Sequence, residues 1–237
     1  MRAIQLPAFA DRADLNLVDA PAPVPGDDDV LIEVKATGVN FADIMMSRGK
    51  YGDRLKPPYI PGFEAAGTVL AVGRNVQQWK PGDRVMGTVP RHICGTYAEQ
   101  AVIPAWLLMR VPENFSFVEA AAFTEVFITA NLALRTFGRL QAGESVLVHA
   151  AGGGVGTAAV QTAKALGARV FATAGSDEKL ERVKALGADE LINYNTTNFA
   201  DEIKQRTGGK GVDVLLESVG GETFERNLLC MRPLGRI

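Results

Sequence analysis

Ala151, Gly153, Gly154 and Gly156 write the pattern A-x-G-G-x-G, which is the usual phosphate-loop spacing with its first glycine replaced. The run follows a continuously apolar stretch, "SVLVHA" (145–150), of the kind a parallel strand covered on both faces carries. Val155, Ala158, Ala159, Thr162, Ala163 and Leu166 then recur at i, i+3, i+4, i+7, i+8 and i+11, one face of a helix. Glycines between a strand and a helix allow a sharp turn. They also clear side chains from a ligand's path and let the helix pack on the strand. The N–H groups of residues 153–157 would then converge at the positive end of the helix dipole, a place suited to a pyrophosphate. Without a ligand the same loop would be only a tight turn; the strand–loop–helix context favours a dinucleotide.

The next strand, "RVFATA" (169–174), decides which dinucleotide. A site for NAD usually ends this strand with an acid that takes the ribose 2′-hydroxyl. Here Ala174 and Gly175 stand at that place, followed by Ser176 and Lys179, and a lysine there can meet a 2′-phosphate. Asp177 lies near the expected spacing, where it either binds a ribose or sits at a helix N-terminus favoured by the dipole. The absent acid and the lysine together favour NADPH.

The elements that must hold these residues come in two styles, which meet near residue 120. Residues 1–120 form one predicted domain, with strands at 30–40, 67–73, 83–89 and 96–103 separated by Gly and Pro turns: a mostly antiparallel barrel or sandwich. Residues 121–237 form the second, with strands and helices alternating through 190–194, a helix at 198–207, 212–218 and a helix at 221–230. That alternation specifies an α/β doubly wound parallel sheet. "CMRPLGRI" reads as a turn after the last helix, with only Arg236 and Ile237 of a fifth strand. The sheet is therefore expected to be truncated after its fourth strand, and the chain to be incomplete.

Composition narrows the partners. A net charge of −2 offers no electrostatic case for nucleic acid or an anionic membrane. The apolar region 117–134 is interrupted by Glu119 and Glu125, so no membrane span is expected, and the N-terminus lacks an apolar signal core. Two cysteines, Cys94 and Cys230, make no metal or disulfide framework. A soluble, cytoplasmic protein is expected.

Five stretches together carry a resemblance: "GVNFADIMMSRGKY", "PGFEAAGTVLAVG", "PGDRVMG", "VLVHAAGGGVGTAAVQTAKALGA" and "ESVGGETF". In this order they resemble the zinc-free quinone oxidoreductase branch, zeta-crystallin-like and VAT-1-like, of the medium-chain dehydrogenase/reductase superfamily. The resemblance implies a GroES-like catalytic domain followed by a Rossmann domain, with the active site between them. It implies reduction of quinones or other α,β-unsaturated carbonyls by hydride transfer from NADPH, and a homodimer for the full-length form. A fragment ending at Ile237 would then lack one wall of the nicotinamide pocket and could be inactive. A nucleotide-binding protein of the same fold that does not catalyse is the alternative.

Zinc-dependent relatives hold their metal with a Cys and a His at the positions of Asn40 and Phe63, so the resemblance implies no metal, and His92 and His149 are read as structural or surface residues. Asn40, Asp43 and Tyr51 match positions lining the cleft. Asn40 and Tyr51 can donate to a carbonyl, and Asp43 would orient them. Asn40 and Asp43 could instead cap the following helix, and Tyr51 could be a rim aromatic. Met45 stands where some relatives carry tyrosine, which makes the site greasier, and Glu64 is read as a support. For the cofactor, the resemblance places Thr129 near the nicotinamide ribose, Tyr194 beside the 2′-phosphate, and the backbone of Ser218 and Val219 along a ribose. These join Gly153, Gly154, Val155, Gly156, Ser176 and Lys179 as the candidate cofactor residues.

Overall fold

The computed structural model describes residues 1–12, 14–51, 55–90 and 93–237. The chain divides into two compact units, Met1–Glu125 and Val126–Ile237.

The first unit holds β1 (Arg2–Gln5) and β2 (Asn16–Asp19), an antiparallel pair. Its main sheet is built from β3 (Asp29–Thr37), β4 (Glu64–Val72), β5 (Arg84–Thr88), β6 (Gln100–Pro104) and β7 (Leu108–Arg110), antiparallel throughout in the order β6-β3-β4-β5-β7. Side chains two apart share a face, so Val30 and Ile32 enter the core with Val69, Val85 and Ile103, all essentially without solvent exposure. Gly67 is where β4 comes closest to β3: a Cβ there would lie 1.9 Å from the Glu33 carbonyl oxygen. Between β3 and β4 the chain forms α1 (Phe41–Ser47), and after β7 it forms α2 (Phe117–Ala121). Ser116 and Glu119 close a capping box on α2, with Glu119 N–H on Ser116 Oγ at 3.2 Å and Ser116 N–H on Glu119 Oε2 at 2.8 Å.

A third helix, α3 (Thr124–Asn131), starts in the last two residues of the first unit and runs into a π-helical turn, Leu132–Phe137. The second unit then alternates β8 (Ser145–Val148), α4 (Gly154–Ala165), β9 (Arg169–Ala174), α5 (Asp177–Ala185), β10 (Glu190–Asn193), α6 (Phe199–Arg206), β11 (Val212–Leu216), α7 (Glu222–Asn227) and β12 (Met231–Arg236). All five strands are parallel, in the order β10-β9-β8-β11-β12. The apolar run of β8 serves two cores. Val146 and Val148 face the layer of Ala158, Ala159 and Val183, while Leu147 joins Phe171, Ile192, Phe199 and Ile203 on the opposite face. Among the described residues no helix is long and apolar enough to cross a membrane.

The end of the chain differs from the expectation of two residues in a fifth strand. β12 begins at Met231 and pairs with β11 at Val212↔Met231 and Val214↔Arg236, with an irregularity between these points. The Pro-Leu-Gly sequence read as a turn is that irregularity: Leu234 takes φ 64°, and Pro233, which has no N–H to give, is exposed.

Candidate functional site

The glycine run lies where β8 turns into α4. The tight turn is made by Ala150, which adopts φ 47°, so the pattern's first position can be Ala151, fully buried and bonded through its N–H to the Thr173 carbonyl at 2.9 Å. Gly153 N–H is bonded to the Ala150 carbonyl at 2.9 Å and Thr157 N–H to the Gly153 carbonyl at 2.8 Å. Among the described residues this leaves the N–H groups of Gly154, Val155 and Gly156 without a partner, a narrower set than the expected 153–157. The helix has no side-chain cap. Gly156 is dictated by packing, since a Cβ there would stand 2.4 Å from the Ala150 carbonyl oxygen.

Around this turn the structure gathers the residues read as the phosphate selector. The stem of Lys179 lies on Gly152, where an added Cβ would be 3.2 Å from Lys179 Cβ and 3.4 Å from its Cγ and Cδ. Among the described residues, Lys179 has no acidic partner for its ammonium. Ser176 caps α5, accepting from Lys179 N–H at 3.4 Å. Beside it, a Cβ on Gly175 would meet Tyr194 Oη at 2.8 Å, and Asn195 Nδ2 donates to the Gly175 carbonyl at 2.7 Å. Asp177 sits in the first turn of α5, its Oδ1 accepting from Asn193 Nδ2 at 2.8 Å. Its carboxylate thus has both the helix dipole and an amide partner. Thr129 is half-buried on α3, whose Val126 comes within 3.0 Å of a Cβ built on Gly154. Ser218 and Val219 follow β11 with exposed side chains, and Val219 N–H is bonded to Glu217.

In the first unit a second cluster forms under α1. Asn40 is the N-cap residue of α1. Its backbone N–H donates to Asp43 Oδ2 at 2.8 Å, while its amide turns away from the helix and donates to Glu64 Oε1 at 2.9 Å. Glu64, 2% exposed, also accepts Glu125 N–H on Oε2 at 2.8 Å. Gly38 makes room for this carboxylate, because a Cβ there would be 2.2 Å from Glu64 Oε1. Burial raises the Glu64 carboxyl above the ordinary range, opposed by its two donors and reinforced by the charges of Glu125 and Asp43. Asp43 is raised too, first by burial, against the Asn40 N–H, the Tyr97 hydroxyl and the Gly62 N–H. Those last two approach without completing a bond: among the described residues, Asp43 Oδ1 and Tyr97 Oη are both buried with no partner in hydrogen-bond geometry. Asp43 and Tyr97 line a cavity of about 200 Å³ with Val39, Ser47 and Pro61.

Tyr51 packs with Ala42 against Met46, Phe63 and Cys94. Burial, then the Asp43 charge, pushes the Cys94 thiol up to about 12, so it is no nucleophile at neutral pH. His92 lies outside the described residues. His149 is buried in the second unit, bonded to Thr173 and Asn227. Among the described residues no three His, Cys, Asp or Glu side chains converge as a metal set. Tyr97 and Glu125 carry no local signal of their place in this cluster, because their relation to Asp43 and Glu64 crosses tens of residues.

Residues 26–113 match the family description "Alcohol dehydrogenase GroES-like domain", and residues 154–237 match "Zinc-binding dehydrogenase". The human "Synaptic vesicle membrane protein VAT-1 homolog" is 40% identical over all of the chain and 60% of its own length. Human quinone oxidoreductase is 38% identical over all of the chain and 72% of its own length. The chain belongs to the quinone oxidoreductase-like branch of the medium-chain dehydrogenase/reductase superfamily. An Escherichia coli quinone oxidoreductase solved with NADPH superposes with TM-score 0.91 at 34% identity, covering 99% of this chain and 71% of that one. The chain therefore spans about 60% of the length of the VAT-1 homologue and somewhat more of the quinone oxidoreductases. Of the two residues that the resemblance sets at zinc-ligand positions, Asn40 has its amide bonded to Glu64 and Phe63 is 2% exposed.

Proposed function

We propose that the protein reduces quinones or other α,β-unsaturated carbonyls with NADPH and without zinc. The observation that carries the reading is the Lys179 stem on Gly152, next to three unpartnered N–H groups and at the end of a strand that bears no acid. The residues present fit the cofactor. Gly152 and Gly156 keep side chains out of the turn, and the N–H groups of Gly154, Val155 and Gly156 would hold the pyrophosphate. Ser176, Lys179 and Tyr194 would hold the 2′-phosphate, and Thr129, Ser218 and Val219 would border the nicotinamide half. When bound, NADPH supplies the hydride for the β-carbon of an enone or for a quinone.

The chain's own contribution is to orient and polarise. Glu64 takes one hydrogen of the Asn40 amide and leaves the other to donate to a carbonyl oxygen. Tyr51 offers a second donor. Asp43 holds the Asn40 backbone through its N–H, an orienting role. An amide and a phenyl ring at the two ligand positions support a metal-free reaction, since neither group is a zinc ligand. The similarity extends to a synaptic vesicle membrane protein homologue, whose name states no reaction, and cofactor binding without turnover is the second reading. Following NADPH absorbance with a panel of quinones and enones tests both. Oxidation with at least one acceptor supports the reductase, whereas binding of NADPH with no oxidation across the panel supports the second reading.

A further inference from the structure

His149 joins a buried hydrogen-bonded chain that the candidate chemistry leaves unused. It begins at Thr173 in β9, whose hydroxyl lies 2.9 Å from His149 Nδ1. His149 Nε2 is 2.8 Å from Asn227 Oδ1, at the end of α7. Asn227 Nδ2 donates to Glu217 Oε2, and Glu217 Oε1 accepts the N–H groups of Val219 and, at 2.8 Å, Gly220. Thr173, His149 and Asn227 are all at most 3% exposed.

With a neutral imidazole the chain has a single self-consistent polarity. Glu217 as a carboxylate can only accept, so Asn227 must turn its NH₂ to it and its carbonyl to the imidazole. His149 then carries its proton on Nε2, and Nδ1 accepts from the Thr173 hydroxyl. Burial favours this neutral ring, against the raising influence of Asn227 and of the Glu217 charge. Phe199 packs edge-on to the ring at 4.9 Å between centroids.

Its position gives the chain a consequence. The sheet order β10-β9-β8-β11-β12 reverses between β8 and β11, and in such a sheet the two halves of a dinucleotide lie on either side of that point. Lys179 marks the β9 side as the adenosine half. The loop after β11 borders the other half, and its N–H groups are held from inside by Glu217, so that Ser218 and Val219 face outward. Gly220 and Gly221 complete the loop at φ 73° and 59°.

We propose that His149 and Asn227 are positioning residues: acting through Glu217, they set the Ser218–Gly221 loop to receive the nicotinamide half of the cofactor. This rests on reading the glycine turn as an NADPH site. The test compares binding of NADPH with binding of 2′,5′-ADP, which carries only the adenosine half, in the protein as it is expressed. Asn227→Leu is expected to weaken NADPH about tenfold and to leave 2′,5′-ADP unchanged. His149→Gln, whose amide can donate to Asn227 from the place of Nε2, should retain most of the NADPH affinity, while His149→Leu should not. If Asn227→Leu fails to fold, Asn227→Asp decides in its place: it still accepts from His149 but sets a second carboxylate against Glu217. Equal weakening of both ligands, or no weakening of either, overturns the proposal. Wild-type protein that binds neither ligand overturns the cofactor reading and this inference together, an outcome distinct from a lost split in the variants.

Discussion

Glu64 Oε1 accepts a hydrogen from Asn40 Nδ2 at 2.9 Å, and this bond determines which way the Asn40 amide faces. The other carboxylate oxygen is engaged by Glu125 N–H. Glu64→Gln must keep its carbonyl on Glu125 N–H and so turns an NH₂ toward Asn40, which can answer only by reversing its own amide. The donor meant for a carbonyl is then replaced by an acceptor. Turnover is expected to fall of order 100-fold, the usual effect of losing one such donor, with NADPH affinity unchanged. Steady-state kinetics beside a direct binding measurement checks this; undiminished kcat in a folded variant would remove Asn40 from the chemistry.

The same cluster makes stability depend on pH with a definite sign. Burial raises Asp43 and Glu64 above their ordinary carboxylate values. Between the ordinary and the raised values the folded state binds more protons than the unfolded state, so stability falls as pH rises through that window and levels above it. Carboxyls held below their ordinary values, such as Asp189, Glu190, Asp213 and Glu217, act with the opposite sign in both proteins, so the measurement is the urea midpoint of wild type minus that of Glu64→Gln, which should fall as pH rises through the window. A difference that does not change with pH would contradict the assignment.

On the proposed reading, Lys179 distinguishes the two nicotinamide cofactors. A charge-assisted bond contributes about 1.5–3 kcal/mol, so Lys179→Ala should weaken NADPH about 10- to 100-fold and leave NADH little changed. Isothermal titration with both cofactors is the measurement; equal losses would assign Lys179 a general role in place of the 2′-phosphate.

The turn of the glycine run carries a strained residue at Ala150, with φ 47° and an exposed side chain. The left-handed conformation costs a non-glycine residue about 1–2 kcal/mol, and glycine gives back about 0.4–1 kcal/mol through the unfolded chain. Ala150→Gly is therefore expected to stabilise the protein by up to about 1 kcal/mol, seen as a higher Tm. A lower Tm would mean that the Ala150 methyl makes contacts that outweigh the strain.

Where periodicity was strong, sequence and structure agree on particular elements. The period of α4 identifies Ala158, Ala159, Thr162 and Ala163 as its buried face, and the doubly wound order follows from alternation alone. The elements missed have physical reasons. β1, β2 and β7 are three or four residues long and pair with distant partners, such as Arg2 with Asp19, so no local alternation betrays them. The apolar stretch at 117–134 has no clear period, and it folds as α2, α3 and the start of the π-helical turn. β12 was hidden by Pro233 and Gly235, whose turn signal the strand absorbs as an irregularity. The place of Lys179 beside the glycine turn was legible because it belongs to the strand-end pattern. The tie between Asn40 and Glu64, and that between His149 and Asn227 across 78 positions, exist only once the chain is folded.

A metal-free reductase that selects NADPH is probed most directly by kcat/KM with NADPH and with NADH, for a quinone or enone acceptor, after dialysis against a chelator. Turnover is expected to survive the chelator and to prefer NADPH by about tenfold or more, in proportion to the bond from Lys179. Activity lost with the metal and restored by zinc, or equal use of NADH, would contradict it.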